Sequence, residues 1–213
     1  MYLQIALDRM PLEQAVDLTR RLAPAADVIE VGTSLVKAHG MTAVRSIAAA
    51  AGATVVLADL KTADDADTEF AMVFEAGARA ATVLGCAEDA TLRAALACAD
   101  RYDAEMVVDL MATTPQRRAE LAATLPERVV LAAHVAKDAQ SSAAAVTRLL
   151  GEWSAGRRLA VAGGLTADDV AGFGDLPEVR IIVGSAVTAA PDPESACRGL
   201  VAAMAPYRAA VAR

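Results

Sequence analysis

The chain has 213 residues, of which 55% are hydrophobic and 22% are charged, a composition typical of a folded globular protein with one sizeable core. Its formal net charge is −7 at pH 7, which opposes binding to nucleic acid, because that affinity comes largely from basic groups that displace counterions from phosphates. We therefore predict a single domain over 1–213, in which any bound phosphate is small and locally held.

The sequence predicts neither a membrane span nor a secretory signal. The longest nearly apolar segment, Ile47 to Ala58, is shorter than the roughly 20 residues that cross a bilayer. The first residues are typical of a strand and lack a basic start followed by a long apolar stretch, so we predict a cytoplasmic protein. Cys86, Cys98 and Cys197 are widely spaced without a CxxC pair, which favours buried reduced thiols over disulfides or a zinc site.

Short β-branched or aliphatic segments recur about every 25 residues, separated by alanine-rich segments with helical spacing. The first helix is predicted to begin at Pro11, a residue favoured in the first turn, with Leu12, Ala15, Val16 and Leu22 on its apolar face. The strands are predicted at Leu3–Leu7, Val28–Val31, Thr54–Ala58, Ala80–Leu84, Glu105–Val108, Arg128–Ala132, Arg158–Val161 and Val179–Val183.

The alternation of strands and helices predicts a parallel sheet, and continuous apolar segments are typical of strands that are buried on both faces. Eight such units in one chain of this length favour an α/β fold of the closed (β/α)8 TIM barrel type. An open doubly wound sheet is the alternative. No linker rich in Gly, Pro or Ser divides the chain, which supports one domain.

Reactive side chains lie at the carboxyl ends of most predicted strands, where (β/α)8 barrels carry their chemistry. These residues, in chain order, are Asp8, Glu30, Asp59, Lys61, Asp109 and His134. Because the carboxyl ends of the strands meet at one rim of a barrel, we expect these side chains to share a cavity.

Asp59 and Lys61 are two residues apart, so the alternation of side chains along a strand points them the same way, toward Glu30 across the barrel mouth. Asp64 is expected in the first turn of the next helix. The alternative is that Asp59, Lys61 and Asp64 form only a helix cap and a surface ion pair.

Several carboxylates in one cavity repel one another unless a cation shares them. Lys61 supplies one positive charge, and a divalent metal would supply the rest. Glu30 and Asp59, with water and substrate oxygens, suit Mg²⁺, and Mn²⁺ or Co²⁺ would accept the same ligands. No organic cofactor is predicted.

Glycines follow the last two predicted strands. Gly163 and Gly164 come after strand seven, and Gly184 and Ser185 come after strand eight. Two neighbouring loops with bare backbone N–H groups near helix N-termini predict a site for a phosphate monoester. The alternative is a pair of tight turns.

The two histidines differ in their predicted roles. His134 at a strand end opposite carboxylates is predicted to be a general acid and base, because the unperturbed pKa of histidine, about 6.5, suits proton transfer near neutrality. A satisfied core histidine is the alternative. His39 is assigned to a helix or loop, with the rim of the site as the less favoured position.

At these residues the sequence resembles the orotidine 5′-phosphate decarboxylase suprafamily, and within it the group of 3-hexulose-6-phosphate synthases and 3-keto-L-gulonate-6-phosphate decarboxylases. Asp59, Lys61 and Asp64 resemble the D-x-K-x-x-D signature of the suprafamily. The resemblance covers essentially the whole chain, through the segments LQIALD (3–8), DVIEVGTSLVKAHGM (27–41), ADLKTADDADTE (58–69), TVLGCAEDAT (82–91), VVDLM (107–111), HVAKDAQ (134–140), VAGGL (161–165) and VGSAVTAAPDP (183–193).

The resemblance implies specific roles for the candidate residues. It implies Mg²⁺ at Glu30 and Asp59, stabilisation of oxyanion charge by Lys61, and a homodimer in which Asp64 reaches into the site of the partner subunit. His134 would move protons. Asp8 and Asp109 join the catalytic set, and the substrate phosphate would bind at Gly163, Gly164, Gly184 and Ser185.

The reaction implied is an aldolase reaction of the carbon–carbon lyase class. D-ribulose 5-phosphate would condense reversibly with formaldehyde through an enediolate, and a 6-phospho-3-hexuloisomerase would be a partner. Asp109 and Ser185 favour the synthase, because the decarboxylases tend to have glutamate at the first position and arginine in the strand-eight loop. The alternatives are the decarboxylase, a related sugar-phosphate lyase with an altered substrate, and a non-catalytic sugar-phosphate-binding protein.

Four residues depart from the pattern of the group. Ser34, His39, Ala66 and Ala136 stand where proline, glutamate, glycine and glycine are usual. Because glycine permits backbone angles and close approaches that alanine does not, the departures at Ala66 and Ala136 support the alternative of an altered pocket.

Overall fold

Eight parallel strands form a closed barrel in the computed structural model, which describes residues 1–135, 143–176 and 178–208. Each strand pairs with its neighbours in the sequence, and β8 closes the barrel against β1. The predicted (β/α)8 fold is therefore confirmed. The strands are β1 Tyr2–Leu7, β2 Val28–Val31, β3 Val55–Thr62, β4 Ala80–Leu84, β5 Glu105–Asp109, β6 Val130–His134, β7 Leu159–Ala162 and β8 Val179–Val183.

Helices follow the strands and cover the outside of the barrel. Short 3₁₀ helices lie at Glu152–Ser154, Ala167–Phe173 and Ala205–Tyr207. The α-helices in the described ranges are α1 Leu12–Leu22, α2 Thr33–His39, α3 Met41–Ala51, α4 Ala66–Glu75, α5 Asp89–Arg101, α6 Pro115–Thr124, α7 Ala143–Thr147, α8 Ser185–Thr188 and α9 Pro193–Met204.

The core has two parts, because side chains alternate between the two faces of each strand. Leu3, Ile5 and Leu7 of β1 belong to the larger apolar cluster between the barrel and its helices. A smaller cluster fills the inside of the barrel and consists of Val28, Leu57, Ala80, Val107, Val130, Ala132 and Ala160. The inner cluster is mainly small aliphatic side chains, as the alanine-rich composition predicts.

Four strands run further toward their carboxyl ends than the apolar pattern predicts, and three of them continue into polar residues. β3 continues to Thr62, β5 to Asp109 and β6 to His134. The backbone ladder continues through these polar residues, with Asp109 and His134 each in register with a neighbouring strand. In β3 the register shifts after Ala58, and Lys61 takes a left-handed conformation with φ of 51°.

The segment between β3 and α4 also differs from the prediction. The helix begins at Ala66 with Asp65 as its left-handed N-cap, so Asp64 precedes the helix and does not lie in its first turn. Oδ1 of Asp64 accepts a hydrogen bond of 2.8 Å from the backbone N–H of Asp65. Such local side-chain bonds favour a turn over a helix, which explains the later start of α4.

The cysteine prediction is partly wrong. Cys98 and Cys197 are buried free thiols, but Cys86 is exposed because it lies in the turn after β4. Among the helices of the described segments, none combines the length and the apolar character that a bilayer crossing requires.

Candidate active site

A cavity of about 1370 Å³ opens at the carboxyl ends of the strands. Residues from five strands or their ends line it on the charged side, namely Asp8, Glu30, Asp59, Lys61, Asp109 and His134. The loops after β7 and β8 add Gly163, Gly164, Gly184 and Ser185. Asp64 is exposed on its loop and is not one of the lining residues. The structure thus brings every predicted site residue except Asp64 to one cavity.

Lys61 lies at the centre of the charged side. Its Nζ is 2.9 Å from Oδ2 of Asp59 and 2.8 Å from Oδ2 of Asp109. The same Oδ2 of Asp109 is 3.0 Å from Nδ1 of His134. The two carboxylates, the ammonium group and the imidazole therefore form one connected network, and the alternative of a surface ion pair does not describe it.

The network fixes the charge of two of its members. Burial alone would raise the pKa of Asp109, but the hydrogen bond with His134 and the charge of Lys61 outweigh it and lower the pKa to about 2. Burial would lower the pKa of Lys61, but the charges of Asp109 and Asp59 raise it above its usual value. Asp109 is thus anionic and Lys61 cationic near neutrality.

Two threonine hydroxyls that sequence reasoning missed hold the carboxylate of Asp59. Thr33 Oγ1 donates to Oδ2 at 2.5 Å, and Thr82 Oγ1 donates to Oδ1 at 2.8 Å. Thr82 also accepts the backbone N–H of Lys61 at 2.9 Å. A polar residue inside the apolar β4 segment AATVL was the available signal for Thr82.

Glu30 lies beside Asp59 and not across the barrel mouth as predicted, because β2 and β3 are neighbours in the barrel and Glu30 is in register with Leu57. Burial, and then the negative charge of Asp59, raise the pKa of Glu30 to about 7. Nε2 of Gln4, a further residue that the prediction missed, donates to Oε2 of Glu30 at 2.5 Å.

The donor set at Glu30 and Asp59 fits a hard divalent cation. The repulsion between these carboxylates, which contributes to the raised pKa of Glu30, is the repulsion that a shared cation would relieve. Within the described ranges, no group of three or more His, Cys, Asp or Glu side chains is arranged to hold a metal ion. Mg²⁺ commonly takes one or two carboxylates and completes its shell with water and substrate oxygens, so a cation at this pair of carboxylates stays a prediction.

The glycine side of the cavity is formed by the ends of two neighbouring strands. Gly164 has a φ of 70°, in the left-handed region that favours glycine, so the turn after β7 depends on it. Gly184 precedes α8, and a Cβ atom built there would lie 3.7 Å from the carbonyl oxygen of Ala6. Gly184 lines the cavity, and its carbonyl oxygen accepts the backbone N–H groups of Val187 and Thr188. The helix predicted after Gly164 is a 3₁₀ helix.

Asp8 lines the cavity, but its carboxylate is engaged by a helix. Oδ1 accepts the backbone N–H groups of Ser34 at 3.0 Å and Leu35 at 3.2 Å, in the first turn of α2. A Cβ atom at Gly32 would lie 2.5 Å from Cβ of Asp8, so this contact needs glycine at that position. Asp8 therefore ties the end of β1 to the start of α2, and its catalytic role stays a prediction.

The four residues that depart from the group pattern lie in different places. Ser34 lines the cavity, and its hydroxyl is 3.4 Å from Oδ2 of Asp8. His39 is exposed at the end of α2 and is not among the lining residues. Ala66 is the buried first residue of α4, and Ala136 lies outside the described residues.

Comparison with known proteins places this geometry in a family. The model of the orotidine 5′-phosphate decarboxylase / HUMPS family matches residues 1–200. The 3-hexulose-6-phosphate synthase of Mycobacterium gastri is 32% identical to the chain over 214 residues, which cover 96% of this chain and 100% of that protein.

Two solved structures have the same architecture. The 3-hexulose-6-phosphate synthase from Salmonella typhimurium has a TM-score of 0.87 at 29% identity, over 98% of this chain and 100% of that chain. The 3-keto-L-gulonate-6-phosphate decarboxylase from Vibrio cholerae has a TM-score of 0.84 at 29% identity, over 98% of this chain and 99% of that chain. From the family match over nearly the whole chain and the identity to a full-length relative, we conclude that the chain belongs to the orotidine 5′-phosphate decarboxylase / HUMPS family of enzymes.

Proposed function

We propose that the chain is a 3-hexulose-6-phosphate synthase-like aldolase that condenses D-ribulose 5-phosphate with formaldehyde and runs the cleavage in reverse. The observation that carries the proposal is the network in which Lys61 contacts Asp59 and Asp109 while His134 contacts Asp109. An enediolate intermediate requires a fixed positive charge that stabilises its oxygens and a positioned base that removes the proton, and this network contains both.

The phosphate of the substrate is assigned to the glycine side of the cavity. Gly163, Gly164, Gly184 and Ser185 line it there, and backbone N–H groups in such loops bind phosphate oxygens well. Anchoring the phosphate on this side directs the carbonyl end of the ketose toward Lys61. The anchor also positions C1 of the sugar for proton removal.

Lys61 acts as a fixed positive charge. Its raised pKa keeps the ammonium group protonated, so it is not the base. Because Asp59 and Asp109 already hold it, little reorganisation is needed when negative charge develops on the substrate oxygens, and such preorganised charges contribute strongly to catalysis.

His134 is assigned the proton transfers. Asp109 is anionic and accepts from Nδ1–H, and Nε2 of the imidazole is assigned as the base. Nε2 removes a proton from C1 of D-ribulose 5-phosphate to give the enediolate. The enediolate carbon then forms a bond to the carbon of formaldehyde, whose oxygen takes a proton back from His134, and the product is D-arabino-hex-3-ulose 6-phosphate.

Mg²⁺, or Mn²⁺ or Co²⁺ with the same ligands, is assigned to Glu30 and Asp59. When bound, the cation would supply Lewis-acid stabilisation of negative charge on the carbonyl and hydroxyl oxygens of the sugar. The chain contributes the orientation of both carboxylates, since Thr33, Thr82 and Lys61 hold Asp59 and Gln4 holds Glu30.

Asp64 is assigned to the site of a second subunit in a homodimer. This assignment is supported by its exposed loop, which does not contribute to the cavity of its own chain, and by the D-x-K-x-x-D resemblance. We further propose a cytoplasmic enzyme whose phosphorylated ketose product is consumed by a 6-phospho-3-hexuloisomerase.

A decarboxylase acting on 3-keto-L-gulonate 6-phosphate is the second candidate. The structure from Vibrio cholerae that carries this name is as similar in sequence as the synthase from Salmonella typhimurium, and loss of CO₂ would give a similar enediolate beside Lys61. Asp109 and Ser185 favour the synthase, since the decarboxylases tend to have glutamate and arginine at these places. A non-catalytic sugar-phosphate-binding protein is less favoured, because binding alone needs no network of Lys61, Asp109 and His134.

One assay separates the candidates. The purified protein with Mg²⁺, D-ribulose 5-phosphate and formaldehyde is expected to consume formaldehyde, with EDTA and Lys61→Ala as negative controls. Release of CO₂ from 3-keto-L-gulonate 6-phosphate without formaldehyde consumption would identify the decarboxylase. Binding of sugar phosphate with neither activity would favour an altered substrate or the binding protein.

A further inference from the structure

Three polar side chains, Gln4, Glu30 and Arg180, lie inside the barrel beside the small aliphatic cluster. Gln4 of β1 is in register with Val28 of β2 and with Ile182 of β8. Side chains on one face of a strand are two residues apart, so Arg180 lies one inward position below Gln4 and Glu30 one inward position above it. The three residues are 1% to 8% exposed.

Hydrogen bonds connect these side chains in order. Nε2 of Gln4 donates to Oε2 of Glu30 at 2.5 Å, and Nη1 of Arg180 donates to Oε1 of Gln4 at 3.4 Å. Nη2 of Arg180 donates to Glu105 at 2.8 Å, and Arg158 contacts the other carboxylate oxygen of Glu105 at 3.3 Å. The line therefore begins at the amino-terminal opening of the barrel and ends at the cavity.

The chemistry of arginine gives the line a direction. A guanidinium group has only donors and stays charged in proteins, so the amide atom of Gln4 that faces Arg180 is its oxygen. The NH₂ group of Gln4 must then face Glu30. Arg180 thus determines which end of the amide Glu30 meets, and Glu105 holds Arg180 in place.

Stability alone does not account for this arrangement. Nε of Arg180 is buried without a hydrogen-bond partner in the described structure, and a buried donor left unpaired costs free energy. Aliphatic side chains fill the neighbouring inward positions, such as Val28 and Leu57, and replacing buried charges with apolar residues is often neutral or stabilising. The line of polar side chains therefore indicates a functional role at Glu30, where the line meets the cavity.

We propose that Gln4 is a positioning residue for Glu30 in the cation site and that Arg180 acts through it by fixing the direction of the Gln4 amide. The inference rests on the proposed function, which makes Glu30 a ligand of a divalent cation. Gln4 engages Oε2 of Glu30 and leaves Oε1 for the cation. Positioning partners of ligating carboxylates typically change metal affinity by about 10- to 100-fold when they are mutated.

The test measures the affinity of the full chain for Mn²⁺ without substrate, from the electron paramagnetic resonance signal of free Mn²⁺. Gln4→Met, which keeps the length but removes the amide, is expected to bind Mn²⁺ about 10- to 100-fold more weakly than the wild type. Arg180→Met is expected to weaken binding in the same direction, and Arg180→Lys, which still donates, to weaken it less. Arg158→Met is the matched control, since Arg158 contacts Glu105 but not Gln4, and it is expected to bind as the wild type does.

A double variant tests whether Arg180 acts through Gln4. Because residues in one network are not additive, Gln4→Met combined with Arg180→Met is expected to bind Mn²⁺ no more weakly than Gln4→Met alone. Fully additive losses would overturn the role of Arg180. If Gln4→Met does not fold, Gln4→Asn carries the same expectation, because its shorter side chain does not reach Glu30.

Glu30→Gln separates this inference from the proposed function. If the wild type binds no Mn²⁺, or Glu30→Gln binds it equally well, the cation site fails and the inference fails with it. If the wild type binds Mn²⁺, Glu30→Gln does not, and folded Gln4→Met binds as the wild type does, only the positioning role of Gln4 is overturned.

Discussion

The ammonium group of Lys61 lies 2.8 Å from a carboxylate oxygen of Asp109, and the side chain of Asp109 is only 3% exposed. The two residues come from β3 and β5, which β4 separates in the barrel. An ion pair so placed is a fixed part of the cavity wall and not a surface contact, so changes to either partner affect both stability and chemistry.

Asp109→Asn is expected to lower the free energy of unfolding by about 2 kcal/mol at pH 7, since the folded-state pKa of about 2 lies below the usual 3.8. A lowered carboxyl pKa stabilises the fold above pH 4, and this contribution is lost as the pH falls toward 2. Urea denaturation at pH 7 and pH 3 should show the difference between the variant and the wild type falling by about half at pH 3.

Asp100→Asn is the control for this measurement. Asp100 forms an exposed ion pair with Arg128, and such pairs contribute about 0 to 1 kcal/mol. Little change at either pH is therefore expected. A difference for Asp109→Asn that is equal at both pH values would contradict the assignment.

Lys61→Met is expected to lower kcat by about 10²- to 10³-fold, the usual effect of removing one stabilising group for oxyanion charge. KM for D-ribulose 5-phosphate is expected to change little, because the glycine side of the cavity is untouched. Formaldehyde consumption measures both constants. Lys37→Met, on the exposed face of α2, is the control, and a Lys61→Met enzyme with most of its activity would refute the role of Lys61.

Gly184→Ala is expected to raise KM for the phosphorylated substrate about tenfold, which corresponds to the loss of roughly one hydrogen bond to a charged group. The added methyl group meets Ala6 only at an ordinary contact distance of 3.7 Å, so thermal unfolding should be nearly unchanged. Gly199→Ala in α9, where a Cβ atom has no neighbour within 4 Å, is the control, and it should leave KM unaltered. An unchanged KM for Gly184→Ala would place the phosphate elsewhere.

Removal of metal with EDTA is expected to abolish formaldehyde consumption, and Mg²⁺ or Mn²⁺ is expected to restore it. Glu30→Gln should not recover under the same treatment, because one of the two assigned ligands is lost. Circular dichroism should show that the barrel stays folded throughout, since its core is aliphatic. Full activity in EDTA would exclude the assigned cation.

The sequence predicts the barrel and most of the cavity for a simple physical reason. Strands buried on both faces leave continuous apolar segments, and the polar residues that follow them meet at one rim of a barrel. Asp109 and His134 were predicted to follow their strands, but they are the last residues of β5 and β6. The pattern of side chains does not show where the backbone hydrogen bonds between strands stop. The same limit applies to Lys61, whose register shift and left-handed backbone leave no mark in the sequence.

The residues that the prediction missed depend on distant partners. In the sequence, Thr82 cannot be told from any other threonine in a strand. Its role is visible only in the structure, where its hydroxyl donates to Asp59. Gln4 and Arg180 are 176 residues apart along the chain, and only closure of the barrel by β8 and β1 makes them neighbours. The roles assigned to Asp8 and Asp64 stay predictions, because the first also caps α2 and the second lies outside its own cavity.

The left-handed backbone of Lys61 has a consequence for attempts to improve the protein. A residue with a side chain loses about 1 to 2 kcal/mol in this conformation, and glycine does not. Lys61→Gly should therefore resist heat better than Lys61→Ala, although both lose the ammonium group. Neither variant should unfold at a higher temperature than the wild type, because loss of the ammonium group leaves the buried carboxylates of Asp59 and Asp109 without their shared cation, which destabilises the fold more than the strain does.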